Sequence, residues 1–254
     1  MKSYLPFLRK ELTELAKTYK LLILAAVLLL FGLLSPVAAK FMPKLLEGLM
    51  TEGFVLTLPE PTILDAWAQF GKNIGQIGFL VLVILFSGLF ANEISKGTFI
   101  PLLTKGLSRT SIVLAKGSAA LAAWTLSCAL AAAACWYYAR LLFPGESVPH
   151  LPFALFCLWA VGALLLCAAV FFGTLFRSVF ACLLGVGGAA VAQSLLSLVP
   201  SCKKYLPSQL NSQFLLLLAG ESKPADLAVS LALAFALCAA FLLGAVLLFR
   251  KKRL

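Results

Sequence analysis

An all-helical integral membrane protein with six transmembrane helices is the fold predicted by this 254-residue sequence, and three observations carry that reading. Hydrophobic residues make up 62% of the chain, charged residues 12%, and the mean hydropathy is +1.01, outside the range of soluble globular domains. Apolar runs able to cross a hydrocarbon core of about 30 Å occur at roughly 21–39, 73–92, 117–139, 152–176, 178–199 and 227–249. These runs are rich in Leu and Ala and lack period-2 alternation, so spanning helices satisfy their backbone where a barrel would not.

Orientation follows from the basic residues. With the N-terminus inside, fourteen of the 21 Lys and Arg fall on the cytoplasmic side, which then carries a net +11 against zero outside. The positive-inside rule therefore predicts that both termini of a multi-pass protein are cytoplasmic. The same distribution assigns the charge of +11 to topology and anionic lipid, with no nucleic acid as partner.

Residues 1–20 read as an amphipathic interfacial helix, with Leu5, Leu8, Leu12, Leu15 and Tyr19 on one stripe opposite Arg9, Lys10, Glu14 and Lys17. The two Glu in so long a leading segment argue against a signal peptide cleaved after SPVAA. Residues 21–254 form the six-helix domain, with external segments at 40–72 and 200–226. Thr62 followed by Asp65 resembles a helix start, placing the beginning of the second helix outside the membrane. The LLLLAG run at 215–220 is too short to cross and is expected to dip into the outer leaflet or pack on the bundle.

Several chemistries have no residues to perform them. No charge lies centrally in a span, which disfavours ion-coupled transport. The chain has no G-x-x-x-x-G-K-[ST] loop to hold a nucleotide phosphate, so the expectation is a protein that is not itself an ATPase. His150 is the single His and sits in an external loop without a catalytic partner. Six of the seven Cys fall within spans with no metal-ligand spacing, and no metal or cofactor is expected in this chain.

The remaining feature is NEISKGTFIPLLTKGLSRTSIVLAK, residues 92–116, between the second and third spans. Gly106 reads as the stop of a short helix carrying Phe99, Ile100 and Leu103. Leu107, Ser108 and Ile112 then occupy the N′, N-cap and N4 places of the next helix. Taken singly, these are a capped connection with Glu93 paired to Lys96 and with Lys105, Arg109 and Lys116 meeting lipid phosphates. Jointly, Glu93, Gly97, Thr98, Leu102, Leu103, Ser108, Arg109, Ile112 and Lys116 form a pattern that resembles the permease subunits of the ABC-2 family of ABC transporters. Gly106 stands where that pattern often has Pro.

The resemblance implies an ABC-2 type exporter fold whose hairpin 93–116 docks into a separate ABC ATPase. That partner would bind ATP and Mg, and a second permease subunit, identical or homologous, would complete the transporter. It also implies that the second and fifth spans lie near the central pathway. Polar residues there are Asn73, Gln76 and Ser87, expected on one helical face, and Gln193 and Ser197, four apart. They either line a pathway or hydrogen-bond helices together, the commoner role in bundles. Gly185, Gly188, Ala189 and Ala192 suggest close helix packing. A non-transporting assembly or immunity factor, whose basic hairpin binds another protein, is the alternative reading.

Overall fold

A computed structural model describes residues 4–49, 60–104, 106–199 and 204–252. Lys105, Cys202, Lys203, Arg253 and the whole of 50–59, within the segment 40–72 anticipated as external, lie outside the described residues. The described chain is α-helical, with α1 (Tyr4–Lys17), α2 (Lys20–Leu49), α3 (Ile63–Asn73), α4 (Phe79–Ser95), α5 (Ile100–Thr104), α6 (Arg109–Leu142), α7 (Leu151–Leu175), α8 (Val179–Leu196), α9 (Ser208–Ser212), α10 (Phe214–Leu218) and α11 (Ala228–Lys251). Among the described residues, six helical stretches are long and apolar enough to cross a membrane: Lys20–Met42, Ile63–Ser95, Arg109–Leu142, Leu151–Leu175, Val179–Leu196 and Pro224–Lys251.

The second stretch is continuous from α3 to α4 only because of a π-helical turn over Ile74–Gly78, whose Phe79 N–H reaches back to the Ile74 carbonyl. At its N-terminal end the Asp65 carboxylate accepts from the Thr62 N–H and hydroxyl, at 2.8 Å each, so the helix starts well before the apolar run. The second and fourth stretches are 56% buried against 11% for the fifth and sixth, which places α4 and α7 at the centre and α8 and α11 at the periphery. Small residues permit the central packing: the Trp124 ring lies where a Cβ on Gly162 would be, and its indole N–H donates to the Trp159 carbonyl at 3.0 Å. Gly185 packs under Phe172, whereas Gly188 has no neighbour within 4 Å of where a Cβ would be. Of these two glycines, only Gly185 serves packing within the subunit.

On the N-terminal helix, Leu5 and Leu12 of the apolar stripe, with Tyr19 just beyond its end, are exposed, and Phe7, Glu11 and Leu15 are buried against the bundle. The sequence pattern marks the apolar face, which an interfacial helix turns to lipid, and passes over the face that meets protein. The run 214–218 forms α10, with Phe214, Leu217 and Leu218 buried, so it packs on the bundle. Phe214 fills the space beside Gly71, and Asn211 the space beside Gly75, where side chains on the second helix would collide with them.

Candidate functional site

Both described ends of the chain meet on one side of the bundle, around the segment joining α4 to α6. α4 ends in a Schellman motif: the Gly97 N–H donates to Ile94 O at 3.3 Å and the Thr98 N–H to Glu93 O at 3.1 Å. Gly97 takes φ +66°, a left-handed conformation that disfavours a side chain. A Cβ there would only touch Ile100 Cδ1 at 3.7 Å, so the need for glycine is conformational and not one of space. The same device ends α5, with Gly106 at φ +84° and the Leu107 N–H bonded to Leu102 O at 3.2 Å. Ser108 then caps α6, its Oγ accepting from the Ser111 N–H at 3.1 Å.

Between these stops Phe99 is fully buried, its ring 6.0 Å from Phe90 on α4 and 5.2 Å from Phe249 on α11. The α5 helix itself has no buried residue: Leu102 and Leu103 are half-buried, and Ile100 and Pro101 are exposed. The segment is thus an anchored foot with an apolar, accessible sole.

Beneath it lies an ion group that joins three elements. Lys116 on α6, 1% exposed, donates to Glu93 Oε1 at 2.6 Å and to Glu11 Oε2 at 2.7 Å. The Phe7 and Phe99 rings lie 6.0 and 5.9 Å from its ammonium. Burial is tolerated because the ammonium has two carboxylate partners and two ring faces. The pairing of Glu93 with Lys96 expected from helical spacing is therefore replaced by Glu93 with Lys116, and Lys116 meets protein carboxylates in place of the expected lipid phosphate. Lys96 lies past the end of α4 on the open chain, whereas Lys116 sits on the helix packed beside it. Glu11 escapes a reading by sequence; its one signal is an acid on the Phe7–Leu15 face of α1.

Outward from this group, Lys10 bridges Glu11 at 3.1 Å and Glu14 at 2.5 Å. Burial raises the Glu14 pKa, but the hydrogen bond and charge of Lys10, with Lys116 and Lys20 behind, hold it below the usual carboxylate value. These residues, with Thr18, Asn92 and Lys96, line a cavity of about 650 Å³ between α1, α4 and the foot. The carboxylates of Glu11, Glu14 and Glu93 lie within 4.8 Å of one another. The Lys116 ammonium already bonds two of them, so lysine supplies the cation that such a cluster needs.

Arg109 serves elsewhere. Its Nη1 donates to Phe249 O at 2.9 Å, to Arg250 O at 3.2 Å and to the Lys252 carbonyl, covering the open C-terminal end of α11. Lys252 repeats the arrangement on α7, donating to Thr174 O at 2.6 Å and Leu175 O at 3.3 Å. Burial, with Arg177 nearby, pushes the Lys252 ammonium below the usual lysine pKa.

The polar residues of the second and fifth spans do not converge. Asn73 accepts from Gln69 Nε2 at 3.3 Å and donates to Ser35 Oγ on α2 at 3.1 Å, holding helices together. Ser87 is buried and bonds Val83 O at 2.6 Å. The π turn between them adds one residue, rotating the rest of the helix by about 100° and taking Asn73 and Gln76 off the face of Ser87. Gln76 is exposed, Ser197 bonds Ser194 O at 2.6 Å, and Gln193 lines an apolar cleft between α7, α8 and α11.

Six spanning helices packed in one bundle define an α-helical multi-pass membrane protein. Consistently, the chain is 26% identical over 218 residues, 84% of each chain, to the uncharacterized transmembrane protein YxlG of Bacillus subtilis (strain 168). No family model matches the sequence.

Proposed function

We propose that this chain is the permease subunit of an ABC-2 type exporter in a bacterial inner membrane. ATP hydrolysis on a separate nucleotide-binding subunit drives it, and a second permease, identical or homologous, completes it. The observation that carries this reading is the foot: Phe99, Lys116 and Arg109 tie its ends to α1, α4, α6 and α11, while α5 stays accessible. A loop that merely joins two spans has no need of such fixing. A part that transmits force does, because displacement of a loose tip would be lost before reaching the helices.

A photo-reactive residue at Ile100 or Leu103, introduced in the native host and activated in intact membranes, tests the reading. The expected cross-linked partner is a protein carrying a Walker motif. Cross-links confined to lipid and to this chain's own helices would overturn it. Orientation is checked separately with single Cys reporters at Ser108 and Ser147 in a Cys-free chain. The Ser108 reporter should be shielded from an impermeant thiol reagent in intact cells and the Ser147 reporter labelled; the reverse pattern refutes cytoplasmic termini.

A further inference from the structure

At the end of the bundle opposite the foot, α7, α8 and α11 leave a cleft of about 750 Å³, within the range of small-molecule sites. Its wall runs along α8 from Leu196 to Val186, about 15 Å at 1.5 Å per residue, which is half a hydrocarbon core of about 30 Å. The cleft is therefore as deep as one leaflet. Its lining is apolar except for Gln193, one turn below Leu196, and Tyr205 at the rim.

A second cavity, polar and about 250 Å³, lies beside it and is lined by Lys204, Gln209, Gln213, Ser222 and Asp226. Lys204 and Tyr205 are consecutive, so the segment 204–209 is a wall common to both spaces. The groups facing the polar cavity are incompletely used. Gln209 is 6% exposed; its Oε1 accepts from Gln213 Nε2 at 3.3 Å, while its Nε2 donates to none of the described residues. Ser222 donates to Gln213 Oε1 at 2.8 Å. Asp226 Oδ2 accepts from the Lys223 N–H at 3.1 Å, and its Oδ1 takes no hydrogen bond among the described residues. The Lys204 ammonium has no ion-pair partner among them either.

Two donors and one carboxylate oxygen without partners among the described residues, one donor cationic, thus belong to residues that line a small space beside a leaflet-deep apolar slot. We propose that the two spaces together bind one zwitterionic phospholipid with a primary ammonium. Its phosphate takes Lys204 Nζ and Gln209 Nε2, its ammonium takes Asp226, and one acyl chain fills the cleft, with Gln193 at the level of the ester. A quaternary ammonium has no N–H for Asp226, and an anionic headgroup would set its phosphate against that carboxylate uncompensated. This site is independent of the exporter reading.

The test is native mass spectrometry of the purified, delipidated full chain given equal amounts of dioleoyl phosphatidylethanolamine, phosphatidylcholine and phosphatidylglycerol. Retention of the ethanolamine lipid should exceed each of the others about fivefold, the weight of one charge contact near a membrane surface. Lys204→Gln should lower that retention by a similar factor. Asp226→Asn, which still accepts from Lys223, should make the ethanolamine and choline lipids equal. Ala189→Phe, filling the cleft from an outer helix, should lower retention of all three. Equal retention of the three lipids by the unmodified chain, or a preference that survives both Lys204→Gln and Asp226→Asn, would overturn the site.

Discussion

Lys116→Met should destabilise the protein by about 3–5 kcal/mol, because it leaves the Glu11 and Glu93 carboxylates facing each other in a place that the ammonium now occupies. In detergent, that corresponds to a fall in melting temperature of roughly 10 °C for a chain of this length. The origin of the loss is separable from simple packing. Adding Glu11→Gln and Glu93→Gln to Lys116→Met removes both carboxylate charges, of which Lys10 still meets only that of Glu11, and should restore most of the stability, since an apolar residue beside two amides leaves no buried charge unpaired. A Lys116→Met protein that melts normally would refute the account, and so would a triple variant no more stable than the single one.

The second large effect belongs to Phe99. Phe99→Ala removes a fully buried ring from between Phe90 and Phe249 and should cost about 3 kcal/mol. The damage is local in kind: the spans keep their own contacts, and the foot loses its hold on α11. Amide hydrogen exchange should therefore rise across residues 97–104 before it rises in α7. Because Phe99 and Phe249 touch, Phe99→Ala with Phe249→Ala should cost less than the two single losses added together. Strict additivity would mean that the rings do not act as a unit.

How far these features can be read from residues alone varies with the length scale of the force involved. Transfer of long apolar runs out of water is a property of each segment by itself, so six helices follow from composition and run length. Local backbone devices are equally self-contained: Gly106 before Leu107-Ser108, and Thr62 before Asp65, contain their own partners within five residues. Pairings between helices are different. The bond from Glu11 to Lys116 spans 105 residues, and the Arg109 bond to Phe249 spans 140. Nothing in either neighbourhood names the other end. Local spacing alone assigns Glu93 to Lys96, the nearest cation of the right sign. The face expected to be shared by Asn73, Gln76 and Ser87 fails for another reason, since helical periodicity carries no warning of the extra residue in a π turn.

The cap that Arg109 places on α11 also imposes an order of assembly. Arg109 is synthesised long before residues 249–252, and until those residues emerge its guanidinium has no carbonyls of α11 to meet. The foot is then held by α1, α4 and α6 without α11, and Phe99 lacks its contact to Phe249. A growing chain therefore presents a loose foot, and a finished one presents a fixed foot. A protein that recognised only the fixed form would discriminate between chains with α11 in place and chains in which it has yet to emerge.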